Sequence, residues 1–172
     1  ELARHVEFVS FCPEQAIGLG TPRPAIRLEG TPEAAEARSR DGLAVGGALA
    51  EYARRVAQRA DTLDGFIFMQ RSPSCGLQRV KVYPEGGGAP RAEGRGRFAA
   101  ALCEALPELP VEEEGRLHDP VLRENFLTRV YAHAHWQALR QRGLSHSAIV
   151  AFHSRYKYQL LAHSPEHYRS LG

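Results

Sequence analysis

With 172 residues, 43% apolar and 24% charged, the chain is long enough to bury a core, and disorder is not its default state. No apolar run approaches membrane-spanning length, and the opening "ELARHVEF" lacks the basic-then-apolar layout of a signal peptide. The net charge of +2 divides unevenly: residues 1–115 carry 14 Lys/Arg against 17 Asp/Glu (−3), and residues 116–172 carry 8 against 3 (+5). A basic, His-rich segment on a mildly acidic body suits a polyanion partner or, more commonly, a solvated surface.

In chain order, "HVEFVSF" (residues 5–11) is β-branched and aromatic and predicts a strand ending at Cys12. "GTPEAAEAR" predicts a helix, with Thr31 as N-cap and Pro32 in its first turn. Residues 43–63 have helical spacing through Leu49, Tyr52, Val56 and Ala60. "FIFMQ" looks like a buried strand, with Cys75 beyond its end, and "RVKVY" is a further strand. "PEGGGAPRAEGRG" predicts a flexible surface loop, and "FAAALCEAL" a helix carrying Cys103. From Asp119 the pattern becomes helical. Asp119–Pro120 opens one helix that stops near Gly143, Ser145 caps a second, and Ser164–Pro165 starts a third. The expected architecture is α/β, a small parallel-type sheet with flanking helices, followed by a C-terminal helical hairpin or bundle. The expected division is an α/β domain over 1–115 and a helical domain over 116–172.

Three cysteines without framework spacing fit a reducing cytoplasm better than a secreted disulfide scaffold. Strand–loop–helix order would place Cys12 and Cys75 at the carboxyl ends of two strands, where open α/β sheets bind ligands. Glu14 follows "CP", Ser72 and Ser74 precede Cys75, and prolines 13, 22, 24 and 73 stiffen both loops. By spacing alone the favoured reading of the two cysteines is incidental small residues. The alternative for Glu14 is to cap a nearby helix or pair with Arg23.

"FCPEQAIGLGTPRPAIRL", "RSPSCGLQRVKVY" and "FAAALCEALPELPVEEEGRLHDPVLRENF" resemble, in order, the TudS-like thiouracil-desulfidase family, and "FHSRYKYQLLAHSPEHYRSLG" is similar to the YbgA-like domain. The resemblance implies a four-iron–four-sulfur (4Fe-4S) cluster held by three cysteines, with one iron free of protein ligands. Cys12 and Cys75 would be two of the ligands, Glu14 the acid/base, and Ser74 (or Ser72) a hydrogen-bonding partner of substrate or water. The family's first ligand belongs to a cysteine-leucine-glycine motif expected ahead of Glu1. Helical spacing makes Cys103 a packing residue instead of a replacement. Either the sequence is trimmed at its front or this chain cannot hold a complete cluster; the gene product is expected to hold one, and the stop at Gly172, just into a helix, is expected to be a trimmed end as well.

The basic helices carry Arg129, Arg140, Arg142, Arg155 and Lys157, cations able to neutralise phosphates. The expected substrate is 4-thiouridine in transfer RNA, converted to uridine with release of hydrosulfide. The rival expectations are a desulfidase of free thiouracil, and a non-enzymatic RNA-binding or redox module using Cys75. Trp136, Tyr131 and Phe152 are expected to pack the hairpin, and His133 and His135 to point to different faces.

Overall fold

The computed structural model describes residues 2–171. Its centre is a four-stranded sheet, order β2-β1-β4-β5, formed by β1 (Ile26–Glu29), β2 (Glu36–Ser39), β4 (Val80–Tyr83) and β5 (Arg91–Gly94). β1 and β4 run parallel, while β2 and β5 are antiparallel edges. A separate parallel pair joins β3 (Phe66–Phe68) to β6 (Val111–Glu113). The expected mixed α/β body with a helical C-terminal part is therefore present.

α2 (Gly46–Ala57) and α3 (Arg97–Ala105) pack on each other and close the core. The helical spacing predicted for residues 43–63 is realised in α2, where Leu49, Ala53 and Val56 are buried. They meet Leu28, Ala37, Phe68, Val80, Val82, Phe98 and Leu102. Each fully buried Leu or Phe contributes about 1.5–3 kcal/mol. The aromatic part of this core, Tyr52, Phe66, Phe68 and Phe98, has ring centroids 4.5–6.2 Å apart.

Three local expectations are corrected. Residues 5–11 form no strand; Phe8 and Val9 are exposed, while Phe11 turns inward onto Phe66 at 5.7 Å. Val6 and Phe11 each reach a different cluster of the body, and no described backbone pairs with the run as a ladder. The helix expected after Thr31 is a turn leading into β2. Ala37 and Ser39 are buried in β2, and pairing along all four residues of β1 outweighs the local helix-start signal. The loop expected over 84–96 contains β5, which returns along β4 as a hairpin strand.

α4 (Pro120–Arg142) begins as predicted, with Asp119 Oδ1 accepting from Val121 N (2.8 Å) and Leu122 N (3.1 Å), a cap that contributes about 1 kcal/mol. Phe126 and Val130 of α4 join Leu117, Leu2, Val6 and Ile67 in a second cluster. His133 reaches Asp64 at 3.2 Å, and the Tyr131 hydroxyl donates to the His5 carbonyl at 3.2 Å. α4 is thereby fastened to the body. After Gly143 (φ 89), α5 (His146–His163) is capped by Ser145, and α6 (Pro165–Leu171) follows. None of the described helices is long and apolar enough to cross a membrane.

Candidate active site

α1 (Pro13–Ala16) is a single turn. Cys12 is its N-cap, in extended backbone conformation, Pro13 occupies the first helical position, and Glu14 stands in the first turn. Cys12 thus sits at a helix start instead of the strand end expected for it. The segment is held by Phe11 on the core and by the buried Pro13.

Glu14 ties three parts of the chain together. Its Oε2 pairs with Arg23 Nε at 2.5 Å, and its Oε1 accepts from Ser74 Oγ at 2.8 Å. Arg23 also donates to the Gly20 carbonyl (3.1 Å), and its Nη2 lies 3.9 Å from Cys12 Sγ. Its hydrogen bond to Glu14 and then the charge of that carboxylate raise the Arg23 pKa, with Cys12 adding to the effect. The pairing of Glu14 with Arg23, one of the possibilities in the sequence, is therefore realised, and it accompanies the bond to Ser74.

Ser74 is wholly buried. The Ser72 hydroxyl accepts from Ser74 N (3.2 Å) and Cys75 N (3.1 Å), so it organises the turn from within. The Cys75 thiol is pushed up to about 12 by burial first, then by the charges of Glu14 and Cys12, against a lowering hydrogen bond from Ser72.

The loop is pressed against α3. Gly96 donates to the Gly76 carbonyl at 2.7 Å, while Arg97 N donates to Pro73 O and Phe98 N to Ser74 O. A Cβ on Gly96 would stand 2.5 Å from Ser74 C and O and 2.7 Å from Cys75 N, so only glycine permits this approach. Both ends of the loop pass through left-handed backbone at non-glycine residues, Arg71 (φ 59) and Arg79 (φ 56). Such positions cost about 1 kcal/mol or more each and persist only where surrounding contacts impose them.

Cys12, exposed and near Arg23, and the half-buried Cys75 carry soft thiol donors of the kind that ligate iron–sulfur clusters. Cys103, packed on α3 against the core, is raised by burial, with Arg95 opposing, and does not join them. Among the described residues no group of three or more His, Cys, Asp or Glu side chains is placed to hold a metal ion. The thiols on these two segments are those of Cys12 and Cys75, and Cys103 supplies no third.

The predicted cations lie on the helices. Arg129 lines a groove of about 750 Å³ between α4, α5 and α6. Arg140 and Arg142 stand in the last turn of α4, Arg155 lies over the Tyr156 ring, and Lys157 lies over that of Tyr158. Phe152 packs against Trp136 at 5.2 Å, and the Tyr131 hydroxyl is taken by His5. His133 turns to Asp64 and His135 to Phe152 and Tyr156, the divergence expected of residues two apart.

Sequence reasoning missed Glu113, which is buried. It accepts from Leu77 N at 2.8 Å and Gln78 N at 3.4 Å. The run "VEEEG" reads as solvated surface; its only signal is position, directly after the short apolar stretch "LPV".

The family described as 2-thiouracil desulfurase matches residues 1–114. The fold is similar to the solved structure of a 4Fe-4S-dependent thiouracil desulfidase, TudS, with a TM-score of 0.51 and 28% identity, covering 68% of this chain and 74% of that one. Over 49 residues the chain is 41% identical to the uncharacterized protein YbgA of Escherichia coli (strain K12), which is 28% of this chain and 29% of that protein's length.

Proposed function

The chain belongs to the 2-thiouracil desulfurase family, and from that premise we propose that it is an iron–sulfur-dependent desulfidase of a thiolated uracil ring, with 4-thiouridine in transfer RNA as its substrate. The observation that carries this reading is the Glu14 carboxylate held between Ser74 Oγ and Arg23, beside Cys12 and Cys75. We assign residues 1–115 to the desulfidase domain and 116–172 to a YbgA-like helical domain.

Cys12 and Cys75 would hold two irons of the cluster. When bound, the cluster supplies a soft Lewis-acidic iron to which a thiocarbonyl sulfur has natural affinity. Glu14 takes a proton from water as the oxygen attacks the carbon bearing sulfur, and returns it as the carbon–sulfur bond breaks and hydrosulfide leaves. The Ser74 hydroxyl fixes the direction of the carboxylate, Arg23 holds its other oxygen, and Ser72 shapes the turn. The products are uracil-type carbonyl and hydrosulfide, with water as the only co-substrate.

The positive helices support the RNA substrate. Arg129, Arg140, Arg142, Arg155 and Lys157 offer phosphate-neutralising charge that a free base does not need. The test loads the protein with iron and sulfide anaerobically, then follows loss of thiocarbonyl absorbance with thiolated transfer RNA and with thiouracil. Faster turnover of the RNA supports the reading. Exclusive turnover of thiouracil, the substrate class in the name of the structural neighbour, replaces it with a small-molecule desulfidase. RNA binding without turnover of either substrate leaves a non-enzymatic module.

A further inference from the structure

A buried glutamate whose oxygen accepts two backbone N–H groups is unusual unless it imposes a conformation. Glu113, at the end of β6, is 4% exposed, and its Oε1 receives Leu77 N and Gln78 N. Its neighbour Glu114 donates its backbone N–H to the Phe68 carbonyl (3.0 Å), and its side-chain Oε2 accepts from Gln70 N at 2.7 Å. These bonds fall at the two ends of residues 70–78, immediately beside the left-handed Arg71 and Arg79. Ser72, Ser74 and Cys75 lie between them.

We propose that Glu113 and Glu114 are positioning residues that clamp the Cys75 loop at both ends, so that Ser74 and Cys75 are presented to Glu14 and Cys12. The proposal rests on the desulfidase reading only for the loop's purpose. The β3–β6 pair continues one residue beyond its ladder through Glu114 N, and then hands over to the two carboxylates. Ionised acceptors make stronger bonds to amides than neutral ones do. Anionic side chains at this edge can therefore hold backbone that neutral side chains would release to relaxed dihedrals. Glu113 does not touch substrate or reacting atoms; it acts through Leu77 and Gln78 on the adjacent Cys75.

The test compares the full chain with Glu113→Gln, Glu113→Asp and Glu114→Gln. In cluster-free protein, backbone amide exchange is measured over residues 70–78, with β4 as internal reference. Glu113→Gln should accelerate exchange at Leu77 and Gln78 at least tenfold while β4 is unchanged. Glu113→Asp should recover part of that protection, and Glu114→Gln should accelerate exchange at Gln70. After anaerobic loading, Glu113→Gln should retain less iron per chain and lose kcat with KM little altered. Unchanged exchange in the loop overturns the proposal, as does a rise shared equally by the loop and β4, which reports global loosening. If Glu113→Gln does not fold, Glu114→Gln decides by the same two criteria at Gln70. Wild-type protein that takes up iron but turns over no thiolated uracil sinks the desulfidase reading, while the exchange data still decide the clamp.

Discussion

Ser74 donates to Glu14 at 2.8 Å across 60 positions of sequence, and this one bond joins the two cysteine-bearing segments. The hydroxyl belongs to a wholly buried residue, so the carboxylate has a fixed partner on one oxygen and Arg23 on the other. Glu14→Gln keeps an acceptor for Ser74 but cannot take up a proton. Desulfidation should fall by about 10²–10⁴-fold, with iron content near that of wild type. Ser74→Ala removes the bond and should destabilise by about 1 kcal/mol, read as a lower denaturant midpoint together with reduced turnover.

Gly96→Ala tests the close approach of α3 to the loop. A methyl group 2.5 Å from the Ser74 carbonyl must displace backbone, because no flexible side chain is available to yield. The expected loss is about 1–3 kcal/mol of stability, accompanied by poorer iron retention. Wild-type values for both would mean that the loop is not seated on α3.

Thiol reactivity of the cluster-free protein should separate the cysteines. Cys75 is pushed up to about 12 by burial and by the negative charges of Glu14 and Cys12. It therefore remains a neutral, slow thiol at pH 8, and its alkylation should keep rising with pH beyond about 9, where an ordinary thiol of pKa about 8.5 levels off. Removing one negative neighbour in Glu14→Gln lowers that pKa, so alkylation of Cys75 at pH 8 should speed up. The exposed Cys12 should be modified first. Mass spectrometry of timed iodoacetamide reactions reads all three rates.

Salt dependence tests the RNA surface. Replacing Arg140, Arg142, Arg155 and Lys157 together by Ala should weaken binding of transfer RNA. Each lost phosphate contact should flatten the slope of log K against log salt by about 1. Thiouracil turnover should be unaffected. An unchanged slope would remove these helices from the RNA reading.

Much of the helical part was legible because its signals are local. Asp119–Pro120, Gly143 and Ser145 each do what their side chain or missing side chain dictates within one turn. β2 and β5 were not legible, since Ala37 and Gly94 gain their burial from partners distant in sequence, among them β1 and β4. The site residues Cys12, Glu14, Ser74 and Cys75 stood out through family words, whereas spacing alone left them ambiguous. Glu113 was hidden because a carboxylate in an acidic run gives no hint that backbone amides will surround it.

α1 is four residues long, too short to persist as an isolated helix. Besides Phe11, Pro13, Ile17 and its packing on α2, it is anchored by the pair of bonds on Glu14. The group assigned to proton transfer is thus also the rivet of its own platform. Truncating it to Ala should let the front of the pocket fray while the interior around Phe68 and Phe98 stays folded.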